Sequence, residues 1–331
     1  MQLNVAIMAG GPSSERVISL QTAANIADSL RSDAYRIWKI DINGANWIYD
    51  PKGIDETPVD KNDFSIRVKG DKIRFDIAVI AIHGKQGEDG TMQGYFEAMN
   101  IPYSTSDVLS SALSYDKIRC KIFLKNWDIP MAREIVIRKG DSIQPETIVS
   151  ELGLPVFVKP NTAGSSFGVT KVYEKDKLRS AIEHAFTEDK QVIVEQFIDG
   201  VEVSCGVLKT AISQRVFPVT EIDTKRDFFD YDAKYTPELT DEITPARISE
   251  AETKAVQQYT SLVYDKLGFH GLVRVDFIIK SGVPYYLEAN TIPGLSKNSI
   301  VPKQIRSMGL SETEIFNEVI TDSLRRHKEK Q

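Results

Sequence analysis

The sequence predicts a mixed α/β and α+β protein built as three units, on three observations. Its 331 residues are enough for two or three compact domains with sizeable cores. Up to about residue 102, strand-like apolar runs alternate with a helical pattern, the mark of a small α/β domain. Beyond it, strand-like runs often follow one another before a helix intervenes, which reads as α+β.

Taken in order, "LNVAIMAGGPSSERVISLQTAANIADSL" reads as a buried strand, a Gly-Gly turn and a helix. The helix's apolar positions Leu20, Ala23, Ala24, Ala27 and Leu30 recur three or four apart, and Ser13 or Ser14 can cap it. Strand-like runs at "YRIWKI" and "FDIAVIAI" complete a first unit, residues 1–102. In the second unit, residues 103–200, the chain reads as helical from about Ser104 through "DKIRCKIFLKNWD", where Ile118, Ile122 and Phe123 can share a face. The strand runs "EIVIRK", "VFVKP", "VTKVYE" and "QVIVEQFI" follow, with a helix at "DKLRSAIEHAF" before the last. The third unit, residues 201–331, carries "VEVSCGVLK", "RVFPVTEI", a long loop from about 224 to 247, and the strands "LVRVDFIIK" and "VPYYLEAN". Ser249 with Glu252, and Ser311 with Glu314, have the spacing of capping boxes that open helices.

Composition narrows the function. Hydrophobic residues at 41% and charged residues at 27% are those of a soluble globular protein. Lys+Arg 41 against Asp+Glu 47 leaves a formal charge of -6, so no broad basic surface is expected for a nucleic acid backbone. No apolar run approaches the roughly 18 residues of a membrane span, and "MQLNVAIMAGG" lacks the charged and long apolar regions of a signal peptide. Cys120 and Cys205 lie in apolar segments without metal-ligand spacing; buried thiols in a reducing cytoplasm are the expectation.

Two stretches carry chemistry. In "LVRVDFIIK" Arg274 and Asp276 share one face, as do Glu288 and Asn290 in "VPYYLEAN". The short "KSGVP" between them makes the strands antiparallel neighbours. A guanidinium, two carboxylates and an amide then converge, and hard divalent cations bind such oxygens together with substrate phosphates. Spacing alone leaves open the alternative of a solvated sheet face with an incidental ion pair. In "VFVKPNTAGSSFGVTKV", Gly164, Ser165, Ser166 and Gly168 lie between two strands. This is neither a Walker A loop nor a dinucleotide fingerprint, yet such a hairpin can wrap phosphates with N–H and hydroxyl donors. A flexible surface hairpin is the competing reading. Lys117 and Lys159 are individually uninformative. Gly10 and Gly11 suit either an anion site at a helix N-terminus or plain strand-to-helix packing.

Seven segments in order, "AGGPSSERVISL", "HGKQGEDGTMQG", "PYSTSDVLSSALSYDK", "LGLPVFVKPNTAGSSFGV", "FFDYDAKY", "VRVDF" and "LEANTIPGLSKNSIVP", give the chain a resemblance to the ATP-grasp superfamily, and more closely to the D-alanine:D-alanine ligases. The resemblance runs from residue 9 to about 302. It implies a three-domain ATP-grasp architecture with an N-terminal parallel-sheet α/β domain, ATP gripped between the central and C-terminal domains, and a mobile loop at 224–247. Asp276, Glu288 and Asn290 would hold two Mg²⁺ ions, or Mn²⁺, bridging the ATP phosphates. Lys117, Lys159, Ser166 and Lys234 would serve the phosphates, Glu195, Gln196, Phe197 and Ile198 the adenine side, and Glu202 the ribose. The implied reaction joins two D-alanines through an acyl phosphate, with Arg274 stabilising the oxyanion and Glu15, Ser165 and Tyr235 forming a hydrogen-bonded triad around the substrates. His83, on its own readable as a satisfied core histidine at a strand end, would orient substrate beside Glu15 and Ser19, with Glu88 as a support or simply a loop charge. Gly294 would offer backbone, and Ser299 would bind the second carboxylate. Tyr235 in "YDAKY" resembles the dipeptide-forming members. Ile292, Gln196, Phe197 and Lys297 depart from the family pattern at positions that bear on specificity and nucleotide affinity. The resemblance further implies a cytoplasmic homodimer acting in peptidoglycan synthesis. Ligases for D-lactate, D-serine or another acceptor, and a catalytically silent nucleotide-binding relative, are the alternatives.

Overall fold

The structure, a computed structural model, describes residues 2–13, 15–49, 56–162, 164, 167–225 and 239–331. Its first sheet has the order β4-β3-β2-β1-β7, made of β1 (Leu3–Gly10), β2 (Tyr35–Asn43), β3 (Asn46–Tyr49), β4 (Thr57–Pro58) and β7 (Ile77–Ile80). β1 runs parallel to both β2 and β7, and β3 and β4 extend the edge antiparallel. A parallel neighbour needs a crossover, supplied between β1 and β2 by the helix Arg16–Ser29. Both faces of β1 are covered, as a parallel strand requires. Ala6 and Met8 pack with Trp38, Phe64 and Phe96 on one side. Val5 and Ile7 pack on the other with Ile26, Leu208, Phe217, Val301 and Phe316. The first sheet thus shares a core with C-terminal elements.

A short hairpin, β5 (Ser65–Val68) and β6 (Asp71–Arg74), stands apart. The second sheet, β10-β9-β11-β8, is antiparallel: β8 (Glu134–Arg138), β9 (Val156–Pro160), β10 (Thr170–Val172) and β11 (Gln191–Gln196). Helices Pro145–Leu152 and Leu178–Ala185 bury Ile148, Leu152, Leu178 and Ile182 against it. The third sheet follows β15-β14-β12-β16-β17, with β13 (Gln214–Val216) paired to β12. Its strands are β12 (Val201–Lys209), β14 (Thr220–Thr224), β15 (Thr240–Ile243), β16 (Val273–Lys280) and β17 (Val283–Asn290). Its core takes Val256 and Val263 from helix Glu250–Lys266, and Cys120 and Leu124 from helix Lys117–Leu124. Tyr286 N–H donates to Pro130 O at 2.8 Å, joining β17 to the segment that enters the second sheet.

Several expectations are met. β16 and β17 are antiparallel, β9 and β10 make a hairpin around the glycine-rich loop, both capping boxes form, and both cysteines are buried and free. Others need correction. The first helix buries Ser19, Thr22, Ala23 and Ile26, while Leu20 is 40% exposed; the inner polar groups are tolerated because they are hydrogen-bonded. Ser13 does not cap that helix. Glu15 occupies the N-cap position without a side-chain bond, and the Ser13 hydroxyl donates to His83 O at 3.0 Å; Ser14 lies outside the described residues. In helix Lys117–Leu124 the inner face is Ile118, Cys120, Lys121 and Leu124, with Ile122 57% exposed. The stretch read as one loop from 224 to 247 contains β15, paired with β14. Helices Thr91–Ala98, Pro145–Leu152 and Ile300–Ser307 fall where no helix is expected, whereas Val108–Tyr115 lies within the stretch expected to be helical from about Ser104.

Candidate active site

The polar ends of β16 and β17 meet in register, Asp276 opposite Glu288 and Arg274 opposite Asn290, with an irregularity just after Asp276. Asp276 is 4% exposed. Arg274 grips it through Nε and Nη2 at 2.8 and 2.7 Å, a fork that matches a carboxylate. Asn290 Nδ2 donates to Asp276 Oδ2 at 3.0 Å, and Ser204 Oγ, from β12, donates to Oδ1 at 2.5 Å. Behind Ser204, Gln304 accepts from Gly206 N–H at 3.1 Å and donates to Ser204 O and Thr220 Oγ1, both at 3.0 Å. Burial disfavours charge on Arg274, but Asp276 outweighs it and raises the guanidinium pKa. Lys117 Nζ lies 3.5 Å from Glu288 Oε2.

These strand ends form one wall of a cleft between the second and third sheets. Phe157, Lys159 and Pro160 come from β9, Glu195 and Gln196 from β11, and Glu202 from β12; Ile198 and Gly164 join them. Lys117, Arg274, Asp276 and Glu288 line the same cavity. Lys159 Nζ donates to Glu195 Oε2 at 2.6 Å. The other Glu195 oxygen bonds Lys121 Nζ, which also donates to Glu134 Oε2 at 3.0 Å. Burial alone would raise the Glu195 carboxyl, yet Lys121 and Lys159 hold it at about 2. Burial lowers Lys159, partly offset by Glu195. The Phe197 ring does not join this wall. It lies 6.1 Å from the Phe157 ring, with Lys171 Nζ 4.2 Å over its centroid.

A second cluster gathers at the C-terminal ends of β1 and β7. His83 Nδ1 donates to Ile292 O at 3.0 Å, and Nε2 pairs with Thr22 Oγ1 at 3.2 Å. A carbonyl only accepts, so Nδ1 carries a proton. Glu88 Oε1 stands 3.9 Å from Nδ1. Burial opposes charge on His83, but Glu88, Glu15 and the Ile292 carbonyl together raise its pKa. Burial also pushes the Glu88 carboxyl up. Glu15 closes on the glycine-rich hairpin: a methyl group at Gly164 would sit 2.7 Å from Glu15 Oε2, so a side chain there would push the carboxylate aside. A side chain at Gly294 would press Ser299 Oγ at 3.0 Å, and Ser299 Oγ bonds Ser296 Oγ at 2.8 Å.

Of the expected site residues, the structure thus gathers Lys117, Lys159, Glu195, Gln196, Ile198, Glu202, Arg274, Asp276 and Glu288 around one cleft, with Asn290 bonded to Asp276. Glu15 and His83 stand at the other cluster, and Gly294 beside Ser299. Ser165, Ser166, Lys234 and Tyr235 lie outside the described residues. Lys121, Glu134, Thr22, Ser204 and Gln304 are additions. The only trace of Lys121 in the sequence is its spacing four residues after Lys117, the same helix face.

Among the described residues no group of three or more His, Cys, Asp or Glu side chains could hold a metal ion. The patch offers two carboxylates in register and supplements them with an amide. This set of oxygens fits a hard divalent cation whose other ligands are phosphate oxygens. With cations at Lys117, Lys159 and Arg274 around the same cleft, the arrangement suits a polyphosphate and its transfer chemistry.

Residues 4–106 match the family model described as D-ala D-ala ligase N-terminus, and residues 123–321 match D-ala D-ala ligase C-terminus. The chain is 47% identical over 332 residues to a D-alanine--D-alanine ligase of Parabacteroides distasonis, covering all of both chains. A crystal structure of a D-Ala:D-Ser ligase from Enterococcus faecalis superposes with a TM-score of 0.85 at 33% identity, covering 98% of this chain and 100% of that one. A D-alanine--D-alanine ligase from Bacillus anthracis complexed with ATP gives 0.80 at 29% identity, covering 99% and 100%.

Proposed function

Because this chain belongs to the D-alanine–D-alanine ligase family, we propose that it joins two D-alanines into D-alanyl-D-alanine at the expense of ATP, for peptidoglycan synthesis. The observation that carries this reading is the end-to-end match to D-alanine--D-alanine ligases, with Arg274, Asp276, Glu288 and Asn290 brought into register at the cleft. In the first step a carboxylate oxygen of one D-alanine attacks the γ-phosphorus of ATP, and ADP leaves. In the second, the amine of another D-alanine attacks the acyl phosphate carbon, and phosphate leaves from the tetrahedral intermediate.

The chain's own residues position and neutralise. Lys117 and Lys159 bind phosphate oxygens and spread their charge, the main requirement of phosphoryl transfer. Arg274, with two N–H groups on Asp276, offers its remaining ones to the oxyanion, a contribution on the order of 3 kcal/mol. Glu195, Gln196, Ile198 and Glu202 border the nucleoside. Glu15 takes the first D-alanine's ammonium, His83 orients it, and Gly294 and Ser299 border the second substrate. Asp276, Glu288 and Asn290 would hold two Mg²⁺ ions, which would supply positive charge at the transferred phosphoryl group. Ser165, Ser166, Lys234 and Tyr235 keep the roles the resemblance implies, and Phe197 flanks the hinge through Phe157. We assign the units as residues 1–102, 103–200 and 201–331, and the working form as a cytoplasmic homodimer without nucleic acid or membrane partners; no described helix is long and apolar enough to cross a membrane.

The test is phosphate release from Mg-ATP with D-alanine, against L-alanine and no amino acid, with the product identified by mass. D-alanine-dependent release with matching dipeptide is expected. Mixed product with D-serine or D-lactate preferred over D-alanine would move the acceptor assignment, and ATP binding without any ligation would refute catalysis.

A further inference from the structure

We propose that Lys121 is a positioning residue for the nucleotide end of the cleft, clamping Glu195 so that Lys159 is presented to the phosphates. The inference rests on the reading of the cleft as an ATP site and deepens it. Lys121 is 1% exposed and sits one turn after Lys117 on the helix Lys117–Leu124. Lys117 lines the cleft, whereas Lys121 lies behind its wall.

What Lys121 touches gives it a task. Glu134 and Glu195 are cross-strand partners on β8 and β11, an arrangement that is unfavourable for two like charges. The Lys121 ammonium bonds both. It takes one Glu195 oxygen, leaving the other for Lys159 at 2.6 Å. Glu195 therefore cannot turn without breaking one charged bond in a buried place, which is costly. Two ammonium groups and two carboxylates balance in this array. Only one of each, Lys159 and Glu195, reaches the cleft. The helix thus serves both ends of the site, through Lys117 to Glu288 and through Lys121 to Glu195.

Lys159 is faced by Glu195 from β11 and by Lys117 and Lys121 from the helix, with Glu134 beyond Lys121. Burial lowers its pKa, and the two lysines add to that depression.

The test compares the full-length protein with Lys121→Met/Glu134→Gln, which removes one charge of each sign so that no buried carboxylate is left unpaired, and with Glu134→Gln alone. Expected for the double variant is an ATP KM raised about tenfold or more, with kcat and the D-alanine KM within about threefold of wild type. The basic limb of its kcat/KM profile for ATP should move to higher pH, because Lys159 then has Glu195 to itself and loses a repelling neighbour. An ATP KM and pH profile equal to wild type in a cooperatively folded double variant would overturn the proposal and leave Lys121 a structural residue. Calorimetry with Mg-ATP alone separates the two readings. Weakened ATP binding in the variant upholds Lys121 even if wild type shows no D-alanine-dependent turnover, an outcome that would sink only the substrate assignment. A wild-type protein that does not bind ATP overturns both.

Discussion

Asp276 and Glu288 face each other directly across the β16–β17 ladder, and each carboxylate has its own cation, Arg274 at 2.7 Å and Lys117 at 3.5 Å. Like charges so placed repel, and the two cations, both lining the cleft, make the pairing tolerable. The arrangement separates what serves the fold from what serves the reaction.

Glu288→Gln should therefore leave folding stability unchanged or slightly improved, because it relieves that repulsion. Turnover should fall by at least about 100-fold, since even groups one step removed from a metal commonly cost 10- to 100-fold. Thermal unfolding read beside phosphate release across a Mg²⁺ titration checks both halves. A variant with wild-type turnover would remove Glu288 from the metal site.

Arg274→Met should behave differently. It leaves the buried Asp276 without its guanidinium, and breaking a buried pair costs about 3–5 kcal/mol. Arg274→Lys keeps the charge and loses the fork, so it should regain much of the stability but little of the rate. Denaturant midpoints should therefore place Arg274→Lys close to wild type and Arg274→Met well below it, whereas kcat should leave both variants together far below wild type.

Glu195 predicts a pH window. Its folded carboxyl at about 2 lies below the ordinary 4.5. It therefore contributes stability that is present above about pH 4.5 and is lost as pH falls toward the folded value. Glu195→Gln should be markedly less stable than wild type near neutrality, with the gap narrowing through that window. Urea unfolding of both proteins at a series of pH values is the measurement. A constant gap would mean that the Lys121 and Lys159 contacts do not depress this carboxyl.

Thr22→Val tests the cluster around His83. The Thr22 hydroxyl pairs with His83 Nε2 and receives Leu295 N–H at 3.4 Å, tying the first helix to both the imidazole and the turn after β17. The isosteric change leaves buried polar groups unmet, at about 1–3 kcal/mol. It should raise the D-alanine KM while sparing the ATP KM. Equal effects on both would point to general loosening instead.

Much of this was legible in the sequence, and which parts were legible has a physical reason. The β16–β17 hairpin, its two polar faces and the boxes at Ser249 and Ser311 depend on residues a few positions apart, where strand period and capping act. The order of the family-like segments supplied the fold class, the ligase reading and most residues of the cleft. Only the tertiary structure decided the inner faces of the first helix and of Lys117–Leu124. A hydrophobic period predicts that polar residues face outward, but Ser19, Thr22 and Lys121 face inward, because their partners arrive from far along the chain: Ala81 and His83 for the first two, Glu134 and Glu195 for the third. The same holds for β15, whose place comes from pairing with β14, and for Phe197, which turns to Phe157 and Lys171. Local pattern determined which segments could be helix or strand. Burial of charge among partners distant in sequence decided which side chains face the reaction and which hold the others in place.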